Sequence, residues 1–146
     1  MITGFFPPDR PPHPYLSVAV FVPGISTEWA LVEFLIDTGA ARTSIHPLDA
    51  IRRLGIGPAM LADRSQWQNT TASSGIGGTA TYFDLPAFYG FQADADVAWD
   101  IIEGRLMLAE LTASNQRIPS LMGWDLLSLF KLTMHGEQLS VSLERL

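Results

Sequence analysis

The sequence predicts an all-β domain of barrel or sandwich class with two short helices. Short runs rich in β-branched and aromatic residues recur along the chain, and turns containing Gly or Pro separate them. Helical spacing of apolar residues appears only after Pro47 and after Gly123. The chain has 146 residues, 47% hydrophobic and 16% charged, which suits one domain with a real core and excludes a disordered chain.

Each element follows from local chemistry. Residues 7–14 hold five of the ten prolines. Proline fixes φ and lacks an amide donor, so residues 7–14 are expected to be extended, as a solvated arm or as a docking segment for a partner or the other subunit, and residues 1–14 to form a proline-rich arm ahead of a domain over 15–146. Tyr15 to Val22 predicts a strand that stops at Pro23-Gly24. Trp29 to Ile36 predicts a second strand, apolar on both faces except at Glu33 and therefore expected to be buried on both sides. It runs straight into Asp37-Thr38-Gly39-Ala40. Arg42 to Ile45 predicts a third, short strand. Pro47 then opens a helix that ends near Gly55, with Leu48, Ile51 and Leu54 on one side.

Residues 62–72 are polar and give no clear period. Ser73-Ser74-Gly75-Ile76-Gly77-Gly78 forms a glycine-rich tip, with strand expected over Thr79–Phe83 and again over Phe88–Phe91. Val97–Ile102 and Arg105–Leu111 predict a hairpin about Glu103-Gly104. An apolar segment from Ile118 to Met122 ends at Gly123. Leu126, Leu127, Leu129 and Phe130 carry helical spacing, with Asp125 as the expected N-cap. Two last strands, over 131–134 and 138–143, flank His135-Gly136-Glu137.

Several function classes are excluded by composition. With no cysteine there is no disulfide, thiolate metal site or cysteine nucleophile. The net charge is −6, the chain has a single lysine, and its largest basic cluster is Arg52-Arg53, so the electrostatic footprint for nucleic acid is missing. Met1 to Arg10 lacks the pattern of a signal peptide, and no apolar run is long enough to span a bilayer. A cytoplasmic protein with no membrane partner is expected. His13, His46 and His135 show no ligand spacing and no G-x-S-x-G elbow occurs, so neither a metal, a cofactor nor a Ser/His hydrolase is expected.

Asp37 is the residue that points to chemistry. Asp-Thr-Gly alone is a common turn. Here an apolar strand delivers the aspartate, a small residue follows the glycine, and strand-like sequence resumes at Thr43-Ser44-Ile45. A carboxylate at the end of a core strand is costly unless hydrogen-bonded or protonated, so its presence there points to use. The three glycines at 75, 77 and 78 permit large backbone motion, although an ordinary hairpin tip reads the same way. No Lys-Ser/Thr follows them, which excludes a phosphate loop. Ser120-Leu121-Met122-Gly123, followed by Trp124-Asp125-Leu126-Leu127, is locally a strand leading into a helix.

Taken together, Leu35-Ile36-Asp37-Thr38-Gly39-Ala40, the tip Gly75-Ile76-Gly77-Gly78, and Leu121-Met122-Gly123-Trp124-Asp125-Leu126-Leu127 resemble retropepsin-like aspartic proteases in order and rough spacing, over about residues 15–143. The resemblance implies a mainly antiparallel closed barrel, active as a two-fold homodimer. It implies an aspartic endopeptidase, with peptide or protein as substrate and a water activated between two aspartates. By position, Asp37 would be the catalytic carboxylate. Thr38 would link the two active-site loops across the dimer, and Gly39 would let backbone approach substrate. Residues 75–78 would be a flap over the peptide. Gly123 would pack behind the active-site loop, and Asp125 would cap the last helix. Two departures stand out. Many viral members carry arginine where this chain has Trp124, and the chain is longer by its proline-rich arm and the 47–55 helix.

The chemistry needs two carboxyl groups that share one proton, one as base toward water and one as acid toward the carbonyl. This chain holds one Asp-Thr-Gly, and Asp49, Asp63, Asp84 and Asp100 lack that context. A symmetry mate is the simple source of the second carboxylate. The competing expectation is a catalytically inactive module of the same fold, used for dimerisation or as an adaptor.

Overall fold

In a computed structural model, the structure describes residues 1–57, 60, 69–74, 78–94, 98–109, 116 and 118–146. Among them are ten strands: β1 (Ile2–Thr3), β2 (Tyr15–Phe21), β3 (Ala30–Ile36), β4 (Ser44–Ile45), β5 (Asn69–Ser74), β6 (Gly78–Gln92), β7 (Trp99–Ala109), β8 (Leu121–Met122), β9 (Phe130–His135) and β10 (Ser140–Arg145). Two short helices, α1 (Pro47–Asp49) and α2 (Trp124–Leu127), accompany them. None is long and apolar enough to cross a membrane.

Seven strands form one sheet in the order β2-β3-β8-β4-β7-β6-β5, and β6 also pairs with β2, so the pairings that leave β2 return to it. The long β6/β7 ladder is antiparallel from Tyr82↔Ala109 to Gln92↔Trp99. The short β8 lies parallel to β3, and the equally short β4 lies parallel to β7. A second sheet, β1-β10-β9, ties the start of the chain to its end through Ile2↔Leu143 and Thr3↔Ser142. The Asp94 carboxylate accepts from both the hydroxyl and the amide of Thr3, and the hydroxyl foremost holds it below the usual carboxylate range.

Pleating decides what is buried: alternate side chains face alternate sides of a strand. Val32, Phe34 and Ile36 of β3 point inward and meet Val18 and Val20 of β2, Leu85, Ala87, Tyr89 and Phe91 of β6, and Leu106 and Leu108 of β7. Burying each large apolar side chain contributes roughly 1.5–3 kcal/mol.

Several local expectations change. β3 is not buried on both sides: Leu31 is 55% exposed and Glu33 is exposed, because the outer face of an antiparallel pair has no second layer over it. Glu103-Gly104 is not a turn. Both residues sit inside β7, opposite Phe88 and Ala87, and the ladder overrides their turn chemistry. Thr79–Phe83 and Phe88–Phe91 join into one strand that passes through Pro86. The third strand shortens to Ser44–Ile45.

The helix after His46 starts and stops at the expected residues but is wound unevenly. Its first turn is Pro47–Asp49, capped by the His46 side chain, and Ala50–Leu54 form a π-type turn closed by Gly55 at φ 67°. Ile51 is exposed there while Leu54 is buried. α2 stops at Leu127, and Phe130 already opens β9. The expected strand over 138–143 starts at Ser140 instead and runs to Arg145.

Candidate active site

The end of β3 is fixed from two sides. The Leu35 amide donates to the Ser120 carbonyl at 2.8 Å, and the Asp37 amide donates to the Met122 carbonyl at 3.1 Å, extending the β3/β8 pairing to the aspartate. Opposite, the Ile36 amide donates to the Pro14 carbonyl at 2.9 Å. The Asp37 backbone therefore leaves the core at a set position.

The chain then turns tightly. The Ala40 amide donates to the Asp37 carbonyl at 3.2 Å, closing a turn over 37–40. Inside it the Gly39 amide donates to Asp37 Oδ1 at 2.9 Å, an aspartate-type turn that orients the carboxylate. A Cβ on Gly39 would stand 3.2 Å from that oxygen, so glycine leaves the carboxylate room. Among the described residues Asp37 Oδ2 accepts no hydrogen bond. Asp37 is half-buried, while Thr38 and Gly39 are exposed.

Behind the turn lies a dense set of polar contacts. The amides of Trp124 and Asp125 donate to the carbonyls of Ala40 and Ala41 at 2.9 and 3.2 Å. Thr43 is fully buried. Its hydroxyl donates to Asp125 Oδ1 at 2.7 Å and accepts from the Gly123 amide at 3.1 Å, and its own amide donates to Asp125 Oδ2 at 3.0 Å. Gly123 is required by space: a Cβ there would lie 2.6 Å from both the carbonyl carbon and oxygen of Arg42. The result is a turn whose outer face is open and whose back is locked to the start of α2.

No family model and no curated protein matches this chain. Among solved structures, it is similar to the crystal structure of a retropepsin-like aspartic protease from Rickettsia conorii, with 21% identity, a TM-score of 0.44, and coverage of 92% of this chain and 84% of that one. It is also similar to the retroviral protease-like domain of Ddi1 from Leishmania major, with 16% identity, a TM-score of 0.43, and coverage of 89% and 88%. Both likenesses are to retropepsin-like structures.

The expected site residues fall into three groups. Asp37, Thr38, Gly39 and Ala40 form one turn, and Gly123 and Asp125 lie directly behind it. Asp125 is not the N-cap of α2. Gly123 occupies that position, and the Asp125 carboxylate instead gathers Thr43 and the Leu126 amide. Gly78 opens β6 opposite Ser74, whereas Gly75, Ile76 and Gly77 of the expected flap lie outside the described residues.

Sequence reasoning missed the role of Thr43, whose partners Gly123 and Asp125 lie about 80 residues away in the chain. It also missed a buried tie in which the Ser120 hydroxyl donates to Asp49 Oδ2 at 2.6 Å and accepts from the His46 amide at 2.9 Å. That serine donates to a carboxylate and is fully buried, which suits support of β8 and not nucleophilic attack. A cleft of about 420 Å³ bounded by Arg42, Glu103, Arg105 and Leu126 does not include Asp37. Arg42 and Arg105 there both pair with Asp84, at 3.5 and 3.0 Å.

Proposed function

We propose that the chain is one half of a retropepsin-type aspartic endopeptidase, a closed β fold that works as a two-fold homodimer with Asp37 of each subunit in the shared site. The observation that carries this reading is the Asp37 turn. One carboxylate oxygen is held by the Gly39 amide, the other accepts nothing among the described residues, and the turn is open on its outer face. A second copy placed about a two-fold axis at that face would set two such carboxylates side by side.

Two carboxyl groups about 3 Å apart hold one proton between them. The ionised one takes a proton from a bound water, whose oxygen attacks the peptide carbonyl carbon. The protonated one gives its proton to the carbonyl oxygen, so the attack yields a neutral tetrahedral diol. The carboxyl group that took the water's proton gives it to the leaving nitrogen as the C–N bond breaks, and one diol hydroxyl gives its proton to the other carboxylate, so acid and amine leave and the pair again holds one proton. Within one chain, the role of the fold is to hold Asp37 still, and the contacts from Met122, Gly39 and the start of α2 do so. The glycine-rich residues 75–78 are proposed as the flap that covers the peptide, and the exposed proline-rich residues 8–13 as an arm, since Ile2 and Thr3 ahead of them pair with β10 inside the domain.

The test is hydrolysis of a broad peptide mixture by the purified protein beside Asp37→Asn. Cleavage by the wild type and none by a folded Asp37→Asn is the expected result. Equal turnover by both would end the assignment.

A further inference from the structure

The peptide group between Thr38 and Gly39 is held at both ends. Its N–H donates to Asp37 Oδ1 at 2.9 Å. Its C=O accepts a hydrogen bond of 2.6 Å from the indole Nε1–H of Trp124. Trp124 is 49% exposed, so this is not a ring buried for its apolar area. Its backbone is fixed independently, by its amide on the Ala40 carbonyl and by Gly123 packed against Arg42. The indole thus stands on a rigid base and reaches over the exposed turn to one atom.

We infer that Trp124 is a positioning residue for Asp37, acting through the Thr38–Gly39 peptide. A hydrogen bond accepted by a carbonyl polarises its amide and strengthens the bond which that N–H donates. The indole therefore both fixes the plane of the peptide and tightens its hold on Asp37 Oδ1. Without the indole donor, a solvent-facing turn of this kind rotates its peptide easily, and the carboxylate loses the contact that orients it. The inference rests on the reading of Asp37 as the reacting carboxylate, but the hydrogen-bond relay it describes is measurable without any substrate.

Two variants separate the hydrogen bond from the ring. Trp124→Phe keeps an aromatic ring and removes the donor. Trp124→His removes the larger ring yet keeps a five-membered one, whose Nε2–H can occupy the place of the indole N–H. Apolar packing ranks Phe above His, and the relay ranks His above Phe. Hydrogen exchange of the Gly39 amide is followed by NMR in the full chain, with kcat and KM measured at a protomer concentration that keeps the wild type dimeric.

The expected result is that Trp124→Phe speeds Gly39 exchange about tenfold and lowers kcat about tenfold, with KM changed less than about twofold. Trp124→His should recover a substantial part of both. Gly39 exchange in Trp124→Phe equal to wild type, or a His variant worse than Phe in both measurements, would overturn the inference. Faster Gly39 exchange in Trp124→Phe, alongside a wild type that cleaves no peptide, would uphold the relay and count against the peptidase reading alone.

Discussion

Replacing Thr43 by valine tests whether the hidden polar knot behind the Asp37 turn holds it together. Thr43 has no exposed surface, and valine has nearly its shape, so the substitution opens no cavity and adds no bulk. What it removes is one hydroxyl with two partners, Asp125 Oδ1 at 2.7 Å and the Gly123 amide at 3.1 Å. The Gly123 amide is left buried without an acceptor, at about 1–3 kcal/mol. The Asp125 carboxylate keeps the Thr43 and Leu126 amides, so it loses one charge-assisted donor and not all of them. With partial offset from burying a methyl group in place of a hydroxyl, the net loss should be about 2–4 kcal/mol. Thr43→Ser retains both hydrogen bonds and loses one methyl group, at about 1 kcal/mol. Urea unfolding of the three proteins at one fixed protomer concentration measures the difference, since any self-association makes stability concentration-dependent. If the valine form is as stable as the serine form, the knot is not what secures the turn.

Gly123→Ala should cost more than about 1–3 kcal/mol and disturb the turn, because the new methyl meets the Arg42 backbone at 2.6 Å and no rotamer relieves it; thermal unfolding reads the loss. Tyr89 predicts a pH dependence. Burial above all, with the nearby Asp125 and Asp84 charges, pushes its phenol well above the ordinary value of 10.0 against a smaller opposing pull from Arg42. The folded state thus keeps the proton after the unfolded state has lost it. The contribution is fully present below pH 10.0 and is lost as pH rises beyond it toward the folded value. Tyr89→Phe should lose about 1 kcal/mol at neutral pH, from the 2.6 Å bond to the Arg105 carbonyl, yet decline less steeply than wild type in alkali. Parallel alkaline declines in the two proteins would contradict the assignment.

How legible the molecule was depends on how local each feature is. β2 could be read because its run of β-branched and aromatic residues, stopped by Pro23-Gly24, is a property of consecutive residues. The turn after Ile36 could be read because Asp, Thr and Gly each suit it chemically. The faces of β3 could not, since apolar Trp29 and Leu31 say nothing about whether a second layer covers them, and both are over two-fifths exposed. Glu103-Gly104 looked like a turn because its ladder partners, Phe88 and Ala87, are remote in sequence. Asp125 was read as a helix cap, because its main partner, Thr43, is 82 residues away. The uneven winding after Asp49 has no compositional mark at all, since Pro47 and Gly55 fit an ordinary helix equally well.

In the proposed dimer, two chains each supply one Asp37 to a single site. Wild type and Asp37→Asn are unfolded together, refolded in varied ratios at constant total protein, and assayed on one peptide. If every site needs two aspartates, only wild-type pairs are active, and an equal mixture retains roughly a quarter of full activity, with activity following the square of the wild-type fraction. A linear fall, with about half the activity left in the equal mixture, would mean that each chain acts with its own carboxylate and would contradict the shared site.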